Sequence, residues 1–336
     1  MSSRLSWGTL MVFRTMTRHG RAVRRAALAA ATAGLTAVGV VTLPLVAYAD
    51  PAAPPAVDAP VEPAIMAGVE LLTPVTEVTA GSCTANFVFT SGDRVFIGSA
   101  AHCGTLGSAT DLNGCTTESA PLGTPVIIRG ADGTDYTGEL AYSSWIAMQA
   151  TGETDADLCE LNDFALVAID PADVSRVDSS VPVFGGPEGL DSDGVAPRER
   201  IYSYQNAADD NGLPVMRAKQ GQNLREAAGG RSHIVSTTTP GFAGDSGSAY
   251  LDAEGRAFGL LSTIIEQDGQ VFNGVTDLAM ALDYAVANSD LGDVALMNGT
   301  TPFSLEDVPT EPLPDVPDES VPAPGETNPL LPVLSR

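Results

Sequence analysis

Lysine is almost missing from this sequence: its 336 residues contain one, Lys219. Arginine raises the basic total only to 17, against 42 aspartates and glutamates. A surface of that sign repels the phosphates of nucleic acid and of anionic lipid, so neither is expected as a partner. Cysteine is nearly as rare, at Cys83, Cys103, Cys115 and Cys159. No Cys-x-x-Cys pair occurs and His102 beside Cys103 is poor ligand spacing, which argues against zinc. Four cysteines in an exported chain read instead as two disulfides, with three pairings open. Histidine is limited to His19, His102 and His233. Internal repeats are absent.

What is present begins with a leader. Residues 1–25 carry six arginines and no acid, residues 26–46 are apolar and uncharged, and Ala47-Tyr48-Ala49 follows. A positive start, an apolar stretch and a small-x-small site make a secretory signal, with cleavage expected after Ala49. The apolar run is also long enough for a membrane anchor. Pro44, the Ala-x-Ala site and the Pro-rich segment beyond it favour cleavage. The leader holds six basic residues and none of the acids, so the remainder has 11 basic and 42 acidic residues, net about −31. The chain is therefore expected to be secreted, without stable membrane association once the leader is removed.

Residues 50–65 are rich in proline and alanine and read as a flexible lead. From residue 299 prolines recur every few positions with acids between them, which reads as an extended, disordered acidic tail. Between them, residues 66–298 form one candidate domain. Its pattern is short β-type runs, "TANFVFT", "RVFIGSA", "PVIIRG", "FALVAI", "HIVSTTT", "SAYLD" and "AFGLLSTII", separated by Gly, Asp and Pro. "TSGDRV" and "DAEGRA" have the composition of hairpin turns. Convincing helical spacing occurs over residues 277–289, with Leu278, Ala281, Leu282 and Ala285 on one face. The body is thus all-β and antiparallel, a barrel class with one C-terminal helix.

Chemistry points to three places. His102 ends a strand of small residues in "FIGSAAHCG", pinned by an adjacent cysteine, as a general base requires. His233, in "RSHIVST", carries no such setting and reads as structural. An imidazole base needs an acceptor to hold its tautomer. Asp163 stands at the head of the apolar run in "LNDFALVAI", where an acid must find a partner, whereas Asp170 at the other end reads as a turn residue. "TTTPGFAGDSGSAYL", residues 237–251, crowds small residues around Ser246. A nucleophilic serine needs backbone N–H groups converging on the developing oxyanion, and Gly244 and Gly247 permit that approach.

"GSAAHC", "NDFALV" and "GDSGSA" resemble the three signature segments of the chymotrypsin-like (trypsin-fold) serine peptidases, in that family's order. The resemblance covers about residues 66–290. It implies two packed six-stranded β-barrels with the site between them and a C-terminal helix. It implies His102 as general base, Asp163 as its orienter, Ser246 as nucleophile, and the N–H groups of Gly244 and Ser246 as the oxyanion hole. Cys83 and Cys103 resemble the pair that closes the loop carrying the histidine. A Cys115–Cys159 bridge is expected to tie a second loop to the chain before Asp163. "GLLST" resembles the strand whose serine, here Ser262, lines the cleft and whose backbone pairs with bound peptide. Pro240 takes the place of the primary pocket's base, with Ile264 and Gly274 as its walls, which implies small or medium apolar preference. Such chemistry calls for no cofactor and no metal.

The sequence departs from the family in having no "IVGG"-type segment after a basic residue. Asp245 therefore needs another cationic partner, an arginine being the expected type. The order His, Asp, Ser also argues against an α/β-hydrolase, as does Ser248 in place of the last glycine of Gly-x-Ser-x-Gly. Two other functions fit the same residues: a catalytically silent member that binds a partner, and an esterase using the same triad.

Overall fold

Strand β6 (Asp135–Ser143) alternates exposed and buried residues over most of its length, and β5 (Pro125–Arg129) does so throughout. That period of two is what one face on a core and one in water demands. The computed structural model describes residues 61–76, 79–106, 113–206, 217–306, 308, 312–322 and 329–330. The expected leader, residues 1–49, lies outside them.

The first sheet is built from β1 (Glu70–Pro74), β2 (Ala80–Thr84), β3 (Val88–Ser91), β4 (Arg94–Ser99), β5, β6 and β7 (Ala165–Ile169). The antiparallel order β3-β4-β7-β6-β5-β1-β2 returns on itself, because β2 runs through residues 85–87 into β3. One bent strand thus pairs β1 with its first half and β4 with its second, closing a six-stranded barrel. The second barrel contains β8 (Arg200–Tyr204), β9 (Ala218–Ala227), β10 (Ser232–Thr237), β11 (Ala249–Leu251), β12 (Ala257–Gln267) and β13 (Gln270–Asp277). Its order β11-β8-β9-β10-β13-β12 is closed by β11 pairing β12. This is the two-barrel arrangement implied by the resemblance. Two short strands add to it, β14 (Ala295–Leu296) beside β3 and β15 (Pro329–Leu330) beside β12.

Ile65, Val126, Ile128, Trp145 and Met148 fill the first barrel. Ile201, Val235, Tyr250, Phe258 and Leu261 fill the second. The expected late helix is present. Asp277 accepts the Met280 N–H at 2.7 Å as its N-cap, and its face of Leu278, Ala281, Leu282 and Ala285 is buried. Two short helices precede it, α1 (Ser144–Thr151) and α2 (Ala156–Leu161), which makes the late helix (Leu278–Ala287) α3. Neither α1 nor α2 was expected; eight and six residues are too few for a period to emerge. Among the described residues no helix is long and apolar enough to cross a membrane.

Both edges of the expected domain move outward. Ala64 and Ile65 are fully buried, and both N–H groups donate to the Arg176 carbonyl, so the fold begins inside the presumed lead. The described part of the acidic tail does not extend away from the body as expected. Phe303 packs on Tyr202 at 5.5 Å between ring centres. Val316 and Val321 are buried with Leu224, Ile234, Ile265 and Phe272. Gln222 donates to the Pro314 carbonyl, Arg198 to Val316 and Arg225 to Pro322, each at 2.8 Å. A Pro-rich extended chain has no internal partners for its carbonyls. Side chains of β9 and Arg198 supply them.

Candidate active site

His102 sits on a single helical turn, Ala101–Gly104, that caps the end of β4. The Cys83–Cys103 disulfide ties this turn to β2. The second bridge joins Cys115 to Cys159 on α2, so both expected pairings are formed. Asp163 emerges between α2 and β7, and Ser144 fixes it from both sides. The Ser144 hydroxyl donates to the Asn162 carbonyl at 2.6 Å and accepts the Phe164 N–H at 3.0 Å.

The structure brings His102 and Asp163 together. His102 Nδ1 lies 2.6 Å from Asp163 Oδ2, and the His102 backbone N–H donates to Oδ1 at 2.9 Å. The Ser262 hydroxyl donates to Oδ2 at 2.6 Å. The side chain of Ser262, the residue expected to line the cleft, thus holds the carboxylate. Burial alone would push the Asp163 pKa up. The charge of His102, its hydrogen bonds and that of Ser262 outweigh this and leave the carboxyl below its ordinary value. An Nδ1–H given to Asp163 leaves Nε2 as the acceptor. That Nε2 is buried and has no hydrogen-bond partner among the described residues, and the same is true of Ser246 Oγ.

Ser246 comes from the other barrel, on the loop between β10 and β11, yet that loop lies against the first barrel. Thr84 at the end of β2 donates twice to it, from Oγ1 to the Gly244 carbonyl and from N–H to the Ser246 carbonyl, both at 2.7 Å. A Cβ on Gly247 would stand 2.4 Å from the Thr84 oxygen and 2.8 Å from Ser99 Oγ, so only glycine allows this approach. Ahead of Ser246, the Asp245 N–H donates to the Phe242 carbonyl at 2.9 Å, closing a turn with Gly244 at φ 98°. Positive φ at the third residue is the mark of a type II turn. The N–H groups of Gly244 and Ser246 donate to no partner among the described residues.

The cationic partner of Asp245 is a lysine, where an arginine was expected. The Lys219 ammonium lies 3.7 Å from Asp245 Oδ2 and donates to the Pro240 carbonyl at 3.0 Å. Lys219 is 2% exposed and Asp245 is fully buried. The sole lysine of the chain is thus on β9, inside the second barrel. Its uniqueness was the available signal, but nothing local announced a buried position. Next to Pro240, Gly241 lies against Ile264: a Cβ there would stand 3.3 Å from Ile264 Cδ1 and 2.6 Å from Leu261 Cδ2. Gly274 gives room to Thr263, whose Oγ1 would be 2.1 Å from an added Cβ. Asn273 holds the Gly241 N–H at 2.8 Å, a contact the sequence did not suggest. His233 is fully buried, with Nε2 3.1 Å from Asp277 Oδ2.

Among the described residues, two groups of side chains could be taken for metal sites. Donor atoms of Cys83, His102 and Cys103 lie within 4.8 Å of one another, but a disulfide offers no thiolate. Glu199, Asp252 and Glu254 also converge, but the buried Asp252 already accepts from Arg256 Nε at 2.6 Å.

No family model and no curated protein matches the chain. Among solved structures, Thermobifida fusca protease A is similar at 15% identity and a TM-score of 0.41, over 70% of this chain and 99% of that one. A glutamic acid-specific serine protease is 16% identical with a TM-score of 0.40, over 69% and 100% of the two chains. The Nocardiopsis protease is 14% identical with a TM-score of 0.39, over 69% and 98%. Similarity at this level adds nothing to the strand pairings, and it is on those that the chymotrypsin-like two-barrel fold of this chain rests.

Proposed function

We propose that this protein is an exported serine endopeptidase that cleaves polypeptides through Ser246, His102 and Asp163. The observation that carries the reading is the buried His102–Asp163 pair. Among the described residues its outward nitrogen is an acceptor with no partner, and the Ser246 hydroxyl is equally unpartnered. Ser246 Oγ attacks the scissile carbonyl carbon while His102 Nε2 takes its proton. The carbonyl oxygen becomes an oxyanion that accepts hydrogen bonds from the Gly244 and Ser246 N–H groups. Collapse expels the amine, which receives the proton from His102 and leaves an acyl ester on Ser246. Water activated by His102 then hydrolyses the ester. Asp163 stays ionised throughout, which its lowered pKa supports. Ile264 against Gly241 supports a narrow apolar primary pocket, with small or medium aliphatic side chains preferred before the scissile bond. The two disulfides and the leader fit an oxidising compartment outside the cell.

The test is labelling of the purified protein by a fluorophosphonate, together with turnover of a denatured protein substrate and of a simple ester. Ser246→Ala should abolish all three. Absence of labelling would favour a silent binding protein, and ester turnover without proteolysis would favour an esterase.

A further inference from the structure

Beyond the catalytic groups lies a cavity of about 770 Å³, bounded among others by Ser82, Glu70, Arg129, Tyr204, Arg217 and Gly244. Its position relative to Ser246 is fixed by contacts already described. On one side of the nucleophile is β12, whose Ser262 reaches Asp163. On the other side is β2, whose Thr84 holds the nucleophile loop and whose Ser82 enters the cavity wall. A peptide lying across Ser246 with its acyl half along β12 sends its leaving half over Gly244 into this cavity.

The charges in the cavity are not equally committed. Arg129 is 2.8 Å from Glu70 and 3.2 Å from Asp135. Glu70 also accepts the Ser82 hydroxyl at 2.6 Å. Arg217 is different: among the described residues its side chain has no ion pair, hydrogen bond or ring contact, and its Nε is buried with no partner. Every other described arginine has such a partner, in a carboxylate, a carbonyl, an amide or an aromatic ring. In a chain with 42 acids, an arginine left unpaired inside a cleft is conspicuous. Its backbone is nonetheless fixed, since the Arg217 carbonyl accepts the Gln205 N–H at 3.0 Å immediately before β9 begins. Lys219, two residues on, supports the nucleophile loop.

A buried N–H without an acceptor is unfavourable and gains most from a charged one. The guanidinium fork matches a carboxylate through two parallel hydrogen bonds. Among the described lining residues Glu70 and Arg129 neutralise each other, and Arg217 leaves a net positive charge. We infer that Arg217 is a specificity-determining residue, selecting substrates with a glutamate or aspartate among the residues just after the scissile bond. The inference rests on the peptidase reading above.

The experiment uses internally quenched peptides that share one acyl half. Glu, Gln or Lys is placed in turn at each of the first four positions after the scissile bond. The wild-type protein should cleave the Glu peptide at least tenfold better than the Gln peptide, in kcat/KM, at one of these positions. The ratio is internal to each protein, so an overall change of rate does not enter it. Arg217→Gln should bring it to within twofold of unity. Arg217→Lys should keep part of it, having charge without the fork. Arg217→Glu should invert it in favour of Lys. A wild-type ratio near one at all four positions, or a ratio that survives Arg217→Gln or Arg217→Glu, overturns the assignment. Loss of fluorophosphonate labelling in the wild-type protein would overturn the peptidase reading itself, so the two failures are distinguishable.

Discussion

Replacing Lys219 with methionine should damage both the fold and the site. The side chain keeps its length and loses its charge. Lys219 and Asp245 are both almost wholly inaccessible, with 3.7 Å between nitrogen and oxygen. At the effective dielectric typical of proteins, a pair at that distance interacts by about 4 kcal/mol. Removing one member of a buried pair costs about 3–5 kcal/mol, because the remaining charge stays desolvated. The Pro240 carbonyl also loses a charged donor. For a body of this size each kcal/mol corresponds to roughly 2–4 °C in Tm, so the fall should be roughly 6–20 °C. The site should suffer as well. Asp245 Oδ2 also accepts the Phe242 N–H at 2.8 Å, so a displaced carboxylate opens the turn that presents Gly244 and Ser246. Differential scanning calorimetry and the rate of fluorophosphonate labelling read the two effects. The double variant Lys219→Met/Asp245→Asn removes both charges and should recover at least half of the lost Tm. A single variant within 2 °C of the wild type, or a double variant that melts as low as the single one, would refute the reasoning.

Asp163→Asn should lower kcat by about 10⁴-fold while leaving the fold intact, because an amide can hold the imidazole in the wrong tautomer; single-turnover kinetics on a peptide substrate would check this. The lowered pKa of Asp163 means the native state binds fewer protons than the unfolded chain just below the ordinary aspartate value of 3.8. Its contribution to stability is therefore present above pH 3.8 and lost as pH falls through the depressed value, so acid unfolding curves should be steeper there for the wild type than for Asp163→Asn. Ending the chain at Gly299 should lower Tm by several degrees, since Phe303, Val316 and Val321 leave apolar contacts and three donors lose their carbonyls; an unchanged melting curve would show that the docking is energetically idle. Opening the Cys115–Cys159 bridge by a double serine substitution frees a 44-residue loop and should cost about 4 kcal/mol, measurable by urea denaturation.

What the sequence disclosed follows from how local each signal is. The groups around His102, Asp163 and Ser246 stand in short segments whose small residues have local reasons to be there. The runs that became β4, β7 and β12 are apolar enough to stand out, and the α3 face repeats at helical spacing. Strand β9 offered no such signal. Its sequence AKQGQNLREA is polar, yet six consecutive residues from Lys219 are buried. Three of their side chains donate to distant carbonyls: Lys219 to Pro240, Gln222 to Pro314 and Asn223 to Val195. Thr84 is an ordinary threonine until the chain returns 160 residues later. The same holds for Ser144 beside Asp163 and for the tail, whose contacts run largely through main-chain carbonyls that composition does not reveal.

The double grip of Thr84 on the nucleophile loop bears on how the molecule comes into being. His102 and Asp163 belong to one barrel, Ser246 to the other, and the Ser246 loop is held by a contact between them. A nascent or partly folded chain, with its own cleavable segments exposed, holds no assembled site. For the activity proposed here, competence arrives with docking of the two halves, after the vulnerable segments have been put away. Self-digestion during maturation is thereby limited to what an already finished molecule can reach on a neighbour, and it should scale with the square of concentration at early times.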